Sequence, residues 1–150
     1  MNKYYQAIIP FLFCLIAHAS NAQQPTFSKI INGCEAKAVV SIENGVILVG
    51  QIDYQGLIAK LDLEGNIIWA KKYSGAYRFD EIIMSSDSAF IIGGRSVANA
   101  ICLKVTSSGD VVWFKELYAG TTSSIVELDN GELLLLGTKD NSNSPTSTIA

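Results

Sequence analysis

The sequence predicts an all-β fold of four-stranded antiparallel units repeated in series, and three observations carry that expectation. First, the segment Gly45–Gly75 reappears as Ala89–Gly120: Gly50 and Gly94, Lys60 and Lys104, Gly65 and Gly109, and Trp69 and Trp113 are each 44 residues apart. A third copy opens at Gly131 and runs through Leu133–Leu136 to Gly137. Second, short β-branched and aromatic runs alternate with Ser, Asn, Asp and Gly clusters at the spacing of strands and turns. Third, no stretch after residue 22 combines helical caps with helical periodicity. Self-similarity at this period makes each copy one supersecondary unit, burying its apolar faces only against its neighbours.

Residues 1–22 stand outside the repeat. Lys3 gives a positive start, Ala7–Ala17 an apolar run, and Ser20-Asn21-Ala22 small residues at a cleavage point. This is the pattern of a signal peptide, with the mature chain beginning at Gln23. The apolar run is shorter than the ~20 residues that span a bilayer. A lipoprotein leader ending at Cys14 is the rival, but Phe13 stands where a lipobox takes a small residue. Export is the expected localisation, to the cell surface, periplasm or medium.

Phe27, Lys29, Ile31 and Gly33 lie 42 residues before Trp69, Lys71, Tyr73 and Gly75. They predict a lone fourth strand over 26–33, ahead of unit one (34–77), unit two (78–120) and a truncated unit three (121–150). Within unit two, strands are expected at Ile82–Met84, Phe90–Gly93, Ala100–Val105 and Val111–Leu117, parted by turns at Ser85–Ser88, Ser96–Asn99 and Ser107–Asp110. Strand two is apolar at every position in all copies, which argues for burial on both faces. Strand four alternates, with Ile67, Trp69, Lys71 and Tyr73 on one side. That suits an outer strand that touches its neighbour through aromatics and lysine stems.

Four strands in about 44 residues, with a glycine closing strand two and a tryptophan in strand four, is the arithmetic of a β-propeller blade. The chain resembles the repeat propellers of secreted and surface proteins from Bacteroidetes-type bacteria. The resemblance rests on Ile58-Ala59-Lys60-Leu61-Asp62, Gly65-Asn66-Ile67-Ile68-Trp69, Lys71-Lys72-Tyr73 and Gly75. The second copy keeps Leu103-Lys104, Gly109, Val111-Val112-Trp113 and Lys115 but has Thr106 in place of the aspartate. It implies a partial propeller and says little about activity, because propellers host many unrelated functions. WD40 blades are disfavoured, since no Gly-His or Trp-Asp dipeptide occurs. Kelch blades share the Gly93-Gly94 pair but carry a tyrosine missing here. A quinoprotein-type blade stays open as an alternative.

Removing the leader also removes His18, the only histidine, and Lys3, leaving 10 basic against 14 acidic residues. Hydrolase triads that need histidine, and histidine-bearing zinc sites, are thereby excluded from the mature chain. Mild acidity without a basic cluster argues against nucleic acid and anionic membranes. No cofactor is implied.

The remaining candidates each have a plain alternative. Cys34 and Cys102 could form a disulfide in an exported protein, but one maps to a link and the other to a strand, so two free thiols are favoured. Asp62-Leu63-Glu64-Gly65-Asn66 could be half a calcium loop, yet its copy Thr106–Asp110 keeps only what a hairpin turn needs. Asp80-Glu81 reads as a solvated strand edge and not a catalytic dyad, because adjacent strand residues face opposite ways. Trp69 and Trp113 could stack on sugars; packing between units suits repeated tryptophans better.

A full ring at this period needs on the order of 180–350 residues, so residues 23–150 are expected to be the N-terminal part of a longer propeller. Further units of that parent, or other copies of the chain, are the expected partners. The function expected is a non-catalytic binding or display scaffold. The alternative is a propeller-fold enzyme, quinoprotein-like or carbohydrate-binding, with its active residues elsewhere.

Overall fold

The computed structural model describes residues 32–140 and the backbone of Thr146–Ile149. The leader and residues 26–31 of the expected first strand lie outside the described residues. Asn32 and Gly33, expected to end that strand, form a turn instead, with Gly33 at a left-handed φ of 73°.

Every regular element described is a strand. The first sheet holds β1 (Cys34–Ile42), β2 (Gly45–Ile52), β3 (Gln55–Leu61) and β4 (Ile67–Tyr73), paired in chain order. The second holds β5 (Arg78–Met84), β6 (Phe90–Arg95), β7 (Asn99–Val105), β8 (Val111–Glu127), β9 (Leu133–Lys139) and β10 (Thr146–Ile149), again in order. All pairings are antiparallel, as hairpin connections dictate.

One local rule recurs three times. β1, β5 and the second half of β8 each carry a register shift opposite the end of the following strand: at Ala36/Ala38, Phe79/Glu81 and Thr122/Ser124. The residues facing those shifts are the repeated glycines, Gly50, Gly94 and Gly137. A Cβ on them would lie 2.0, 2.2 and 2.0 Å from the carbonyl oxygens of Glu35, Arg78 and Thr121. The glycine recurs because the bulge brings the backbone across it.

The turn glycines are also explained. Gly65 and Gly109 have φ of 80° and 78° and donate to Asp62 and Thr106 carbonyls at 3.1 and 2.9 Å. A left-handed residue closing the hairpin is what glycine tolerates best.

β8 departs from the expected division. It is one 17-residue strand whose first part pairs with β7 and whose part from Gly120 onward pairs with β9. The strand predicted to stop at Leu117 runs through the border of units two and three. Gly120, at φ 146°, permits the hand-over without a break. Between units one and two the chain leaves the strand at Ser74–Tyr77, which separates the sheets.

Two apolar cores follow. Ile47, Val49 and Ile58 of the first sheet meet Phe79, Ile82, Phe90, Ile92, Ile101, Leu103 and Val105 of the second. On the opposite face of β6 and β7, Ile91 and Cys102 meet Ile125 and Leu135. Ile91 and Ile92 are only 2% and 0% exposed, so β6 is buried on both faces. The other copies depart from that expectation: Val46 and Leu48 of β2 are only half-buried, and Leu134 and Leu136 are 41% and 47% exposed. Size complementarity sets the stacking. Phe79 fills the space over Gly56, where a Cβ would be 2.6 Å from its ring, and Thr122 fills the space over Gly93, at 2.7 Å.

Candidate functional site

Trp69, Lys71 and Tyr73 of the first copy and Gly109 of the second converge on the seam between the two sheets. β4 presents Trp69, Lys71 and Tyr73 from one side, as the alternation predicts, to the β7–β8 turn of the second sheet. The Trp69 ring lies on Gly109, where a Cβ would be 2.9 Å from it. The Lys71 ammonium reaches Asp110 Oδ1 at 2.9 Å and stands 5.7 Å from the centre of the Trp69 ring. The Tyr73 hydroxyl donates to the Gly109 carbonyl at 2.6 Å, and its ring meets Phe79 edge-on at 5.6 Å. Three side chains thus clasp one glycine-aspartate turn. Trp69 also packs against the core that joins the sheets. Trp69→Ala should cost about 2–3 kcal/mol, below the range for a fully buried aromatic because the ring is half-buried; urea unfolding measures it.

Trp113 and Lys115 repeat this arrangement, 5.6 Å apart, and Trp113 packs against the second core. Among the described residues no turn sits on them. The second seam is tied elsewhere, by residues that the repeat does not mark. Glu127 accepts from Ser85 Oγ at 3.0 Å and from the Ser86 amide at 2.8 Å. These donors hold its carboxyl below the usual range, the Ser86 amide most of all. Asp80 corrects an expectation. It is no solvated edge: it sits at the bulge of β5, half-buried, with Arg78 Nε at 2.9 Å and the Thr121 hydroxyl donating at 3.1 Å. Bulging turns it out of the plain alternation and into the seam. Nothing in the repeat signals Glu127, since its counterpart is Met84.

The calcium reading of Asp62 gives way to a turn. Its Oδ1 accepts from the Glu64 and Asn66 amides at 3.0 and 2.7 Å, and its Oδ2 from Asn66 Nδ2 at 3.0 Å. Those bonds, Asn66 foremost, hold its carboxyl below the ordinary value. Thr106 does the same work with its hydroxyl, accepting from the Asp110 amide at 3.1 Å. That equivalence accounts for the Asp-to-Thr change between copies.

The two repeated lysines part company. Lys104 reaches Asp87 at 2.7 Å. Lys60 makes no ion pair among the described residues and lines a cleft of about 620 Å³ between the sheets, with Glu43, Ile47, Met84, Phe90 and Ser107 around it. The cleft lies at the end of the units carrying the β1–β2, β5–β6 and β7–β8 turns.

Cys34 and Cys102 are both free. Burial pushes the Cys102 thiol to about 12 and, with the Glu35 carboxylate, raises that of Cys34; both shifts disfavour the thiolate.

Tyr73 gives the seam a pH dependence. Burial first, then the Asp110 carboxylate, pushes its phenol to about 12 from an ordinary 10. Between those values the unfolded chain has lost a proton that the folded chain keeps, so stability falls as pH rises. Alkaline unfolding followed by circular dichroism should show this fall, and Tyr73→Phe should flatten it.

No family model matches this chain, and no curated protein does. Among solved structures it is similar to a protein of unknown function from Bacteroides caccae, at 17% identity and a TM-score of 0.51. The match covers 79% of this chain and 46% of that one, so the chain spans under half of its neighbour's length. At this identity the likeness concerns the fold: curled antiparallel sheets in an all-β chain.

Proposed function

We propose that this chain is a stretch of an exported β-propeller, a non-catalytic scaffold that offers ligands the turns at one end of its stacked units. The observation that carries the reading is where the repeated residues go. Gly50, Gly94 and Gly137 lie against bulges, Trp69 lies on Gly109, Lys104 lies on Asp87, and Gly65 and Gly109 close turns. Conserving packing in each unit and varying the turns is how a repeat scaffold carries recognition. The cleft beside Lys60 is the place for a ligand, with an apolar floor of Ile47 and Phe90 and polar groups on its rim. The period near 44, the leader at 1–22 and the absence of histidine from the mature chain support the rest. No cofactor and no nucleic acid belong to this reading; further units of the repeat, or other copies of the chain, do.

The test is expression in a secreting bacterial host, with mass spectrometry of the mature product and of glycan and peptide pools incubated with it. A chain beginning at Gln23 that retains ligands unchanged, and loses them on Lys60→Ala, supports the proposal. Retention in the cytoplasm with the leader attached, or chemical turnover of a ligand, overturns it.

A further inference from the structure

We infer that a second site lies at the opposite end of the units from the Lys60 cleft: a platform for a neutral saccharide, built on Tyr54 and Tyr77 with Asn99 and Glu116 beside them. These residues line one cavity of about 330 Å³ between the β2–β3 turn, the Ser74–Tyr77 link and the β6–β7 turn. The site goes beyond the function proposed above, because it uses neither that cleft nor the repeated packing residues.

Tyr54 is 75% exposed, although its ring stands 5.8 Å from that of Tyr77 at a tilt of 38°. Its backbone is unusual for an aromatic residue. Asp53 and Tyr54 take φ of 51° and 59°, a turn that favours Asn-Gly and that a bulky side chain adopts at a cost. The corresponding turn of the second unit, with Val97 and Ala98 at the same offset of 44, has no left-handed residue at either position. The repeat thus does not require the strained geometry, whose effect is to present an aromatic ring at the tip of a hairpin. Lys72 pins that turn through Asp53 at 2.6 Å.

The neighbouring groups are held in place as well. Arg95 stands 5.7 Å from the centre of the Tyr77 ring and donates to the Ser96 and Val97 carbonyls at 3.3 and 3.0 Å, fixing the β6–β7 turn. Asn99 Nδ2 donates to Glu116 Oε2 at 3.2 Å. Asn99 Oδ1 and Glu116 Oε1 have no partner among the described residues and can accept from hydroxyl groups. None of this is repeated: Tyr54 corresponds to Ala98, Tyr77 to Gly120 and Glu116 to Lys72. Chemistry selects the occupant. Exposed aromatic faces stack on the C–H faces of sugar rings, and amide and carboxylate oxygens accept from their hydroxyls. Glu116 is the one charged residue lining the cavity, so an acidic sugar is repelled and a neutral one is not.

The test is a nuclear magnetic resonance titration of the isotope-labelled chain with cellohexaose, maltohexaose, mannohexaose and xylohexaose, and with an oligogalacturonate as the acidic comparison. The expected result is that at least one neutral sugar shifts the amide signals of Tyr54, Tyr77 and Asn99 saturably, and that the oligogalacturonate does not. Tyr54→Ala should weaken that affinity about tenfold, the worth of one lost stacking contact, and Tyr54→Phe should preserve it. Tyr54→Gly should also lose the sugar while keeping the urea unfolding midpoint, since glycine accepts the left-handed turn. A clear fall in that midpoint makes the ring a structural one and overturns the inference. So do shifts that survive Tyr54→Ala, shifts confined to the residues around Lys60, and the lack of a response to any neutral sugar. Lys60→Ala, which tests the cleft at the other end, should leave this titration unchanged, so the failure of either site is seen separately.

Discussion

Phe79→Ala should cost about 3–5 kcal/mol, the usual loss for deleting a buried aromatic ring. Phe79 is 0% exposed and lies in the core that joins the two sheets. It fills the gap left by Gly56 and meets the Tyr73 ring at 5.6 Å. The alanine variant leaves a cavity over Gly56, in the core that joins the sheets. Because Tyr73 also loses its edge-on partner, the clasp on Gly109 should loosen with it. Urea unfolding measures the loss. An additional fall in the coupling between Lys71 and Asp110, seen in a double-mutant cycle, would tie the core to the clasp.

The second large effect is backbone in origin. Gly94→Ala puts a methyl group 2.2 Å from the Arg78 carbonyl oxygen and 2.9 Å from the Phe79 Cα. Neither atom belongs to a flexible side chain, so relief requires β5 to move away from β6 and the bulge to open. The cost should reach about 3 kcal/mol or more, at the upper end for overpacking. Gly75→Ala is the matched control. Its new Cβ would be 3.7 Å from the nearest atom, an ordinary contact with Phe114, and its effect should be small. Chemical denaturation of both variants checks the contrast.

The parts of this molecule that were legible in the sequence are those that every unit must repeat. The bulge glycines, the turn glycines and the tryptophan of strand four recur because each unit solves the same backbone problem at the same place. The continuous apolar runs foretold burial on both faces, and β6 has it. Strand one was less legible. The bulge-facing pairs bring Ala36, Phe79 and Thr122 to equivalent places, and no period detects three unlike residues. Phe79 and Thr122 differ because each is fitted to the glycine it covers in the preceding unit. Glu127 was equally hidden: it ties one seam only, through Ser85 and Ser86, and its counterpart Met84 lines a cleft at the other. Asp80 was misjudged because alternation was counted through a bulge. The unbroken β8 is not legible because the repeat divides units two and three at Gly120, whereas Gly120 keeps the strand extended.

These residues support one physical picture, in which the two sheets stack face to face and the fourth strand of the first reaches a turn of the second. The clasp of Trp69 on the β7–β8 turn is its most local expression. Nuclear Overhauser spectroscopy of the isotope-labelled mature chain tests it directly. The account predicts strong contacts between the Trp69 six-membered ring and the Gly109 α-protons, with none from Trp113 to either hairpin turn that carries Gly65 or Gly109. Absence of the Trp69–Gly109 contacts in a folded chain, or their replacement by contacts within the first sheet alone, would contradict stacking of the units.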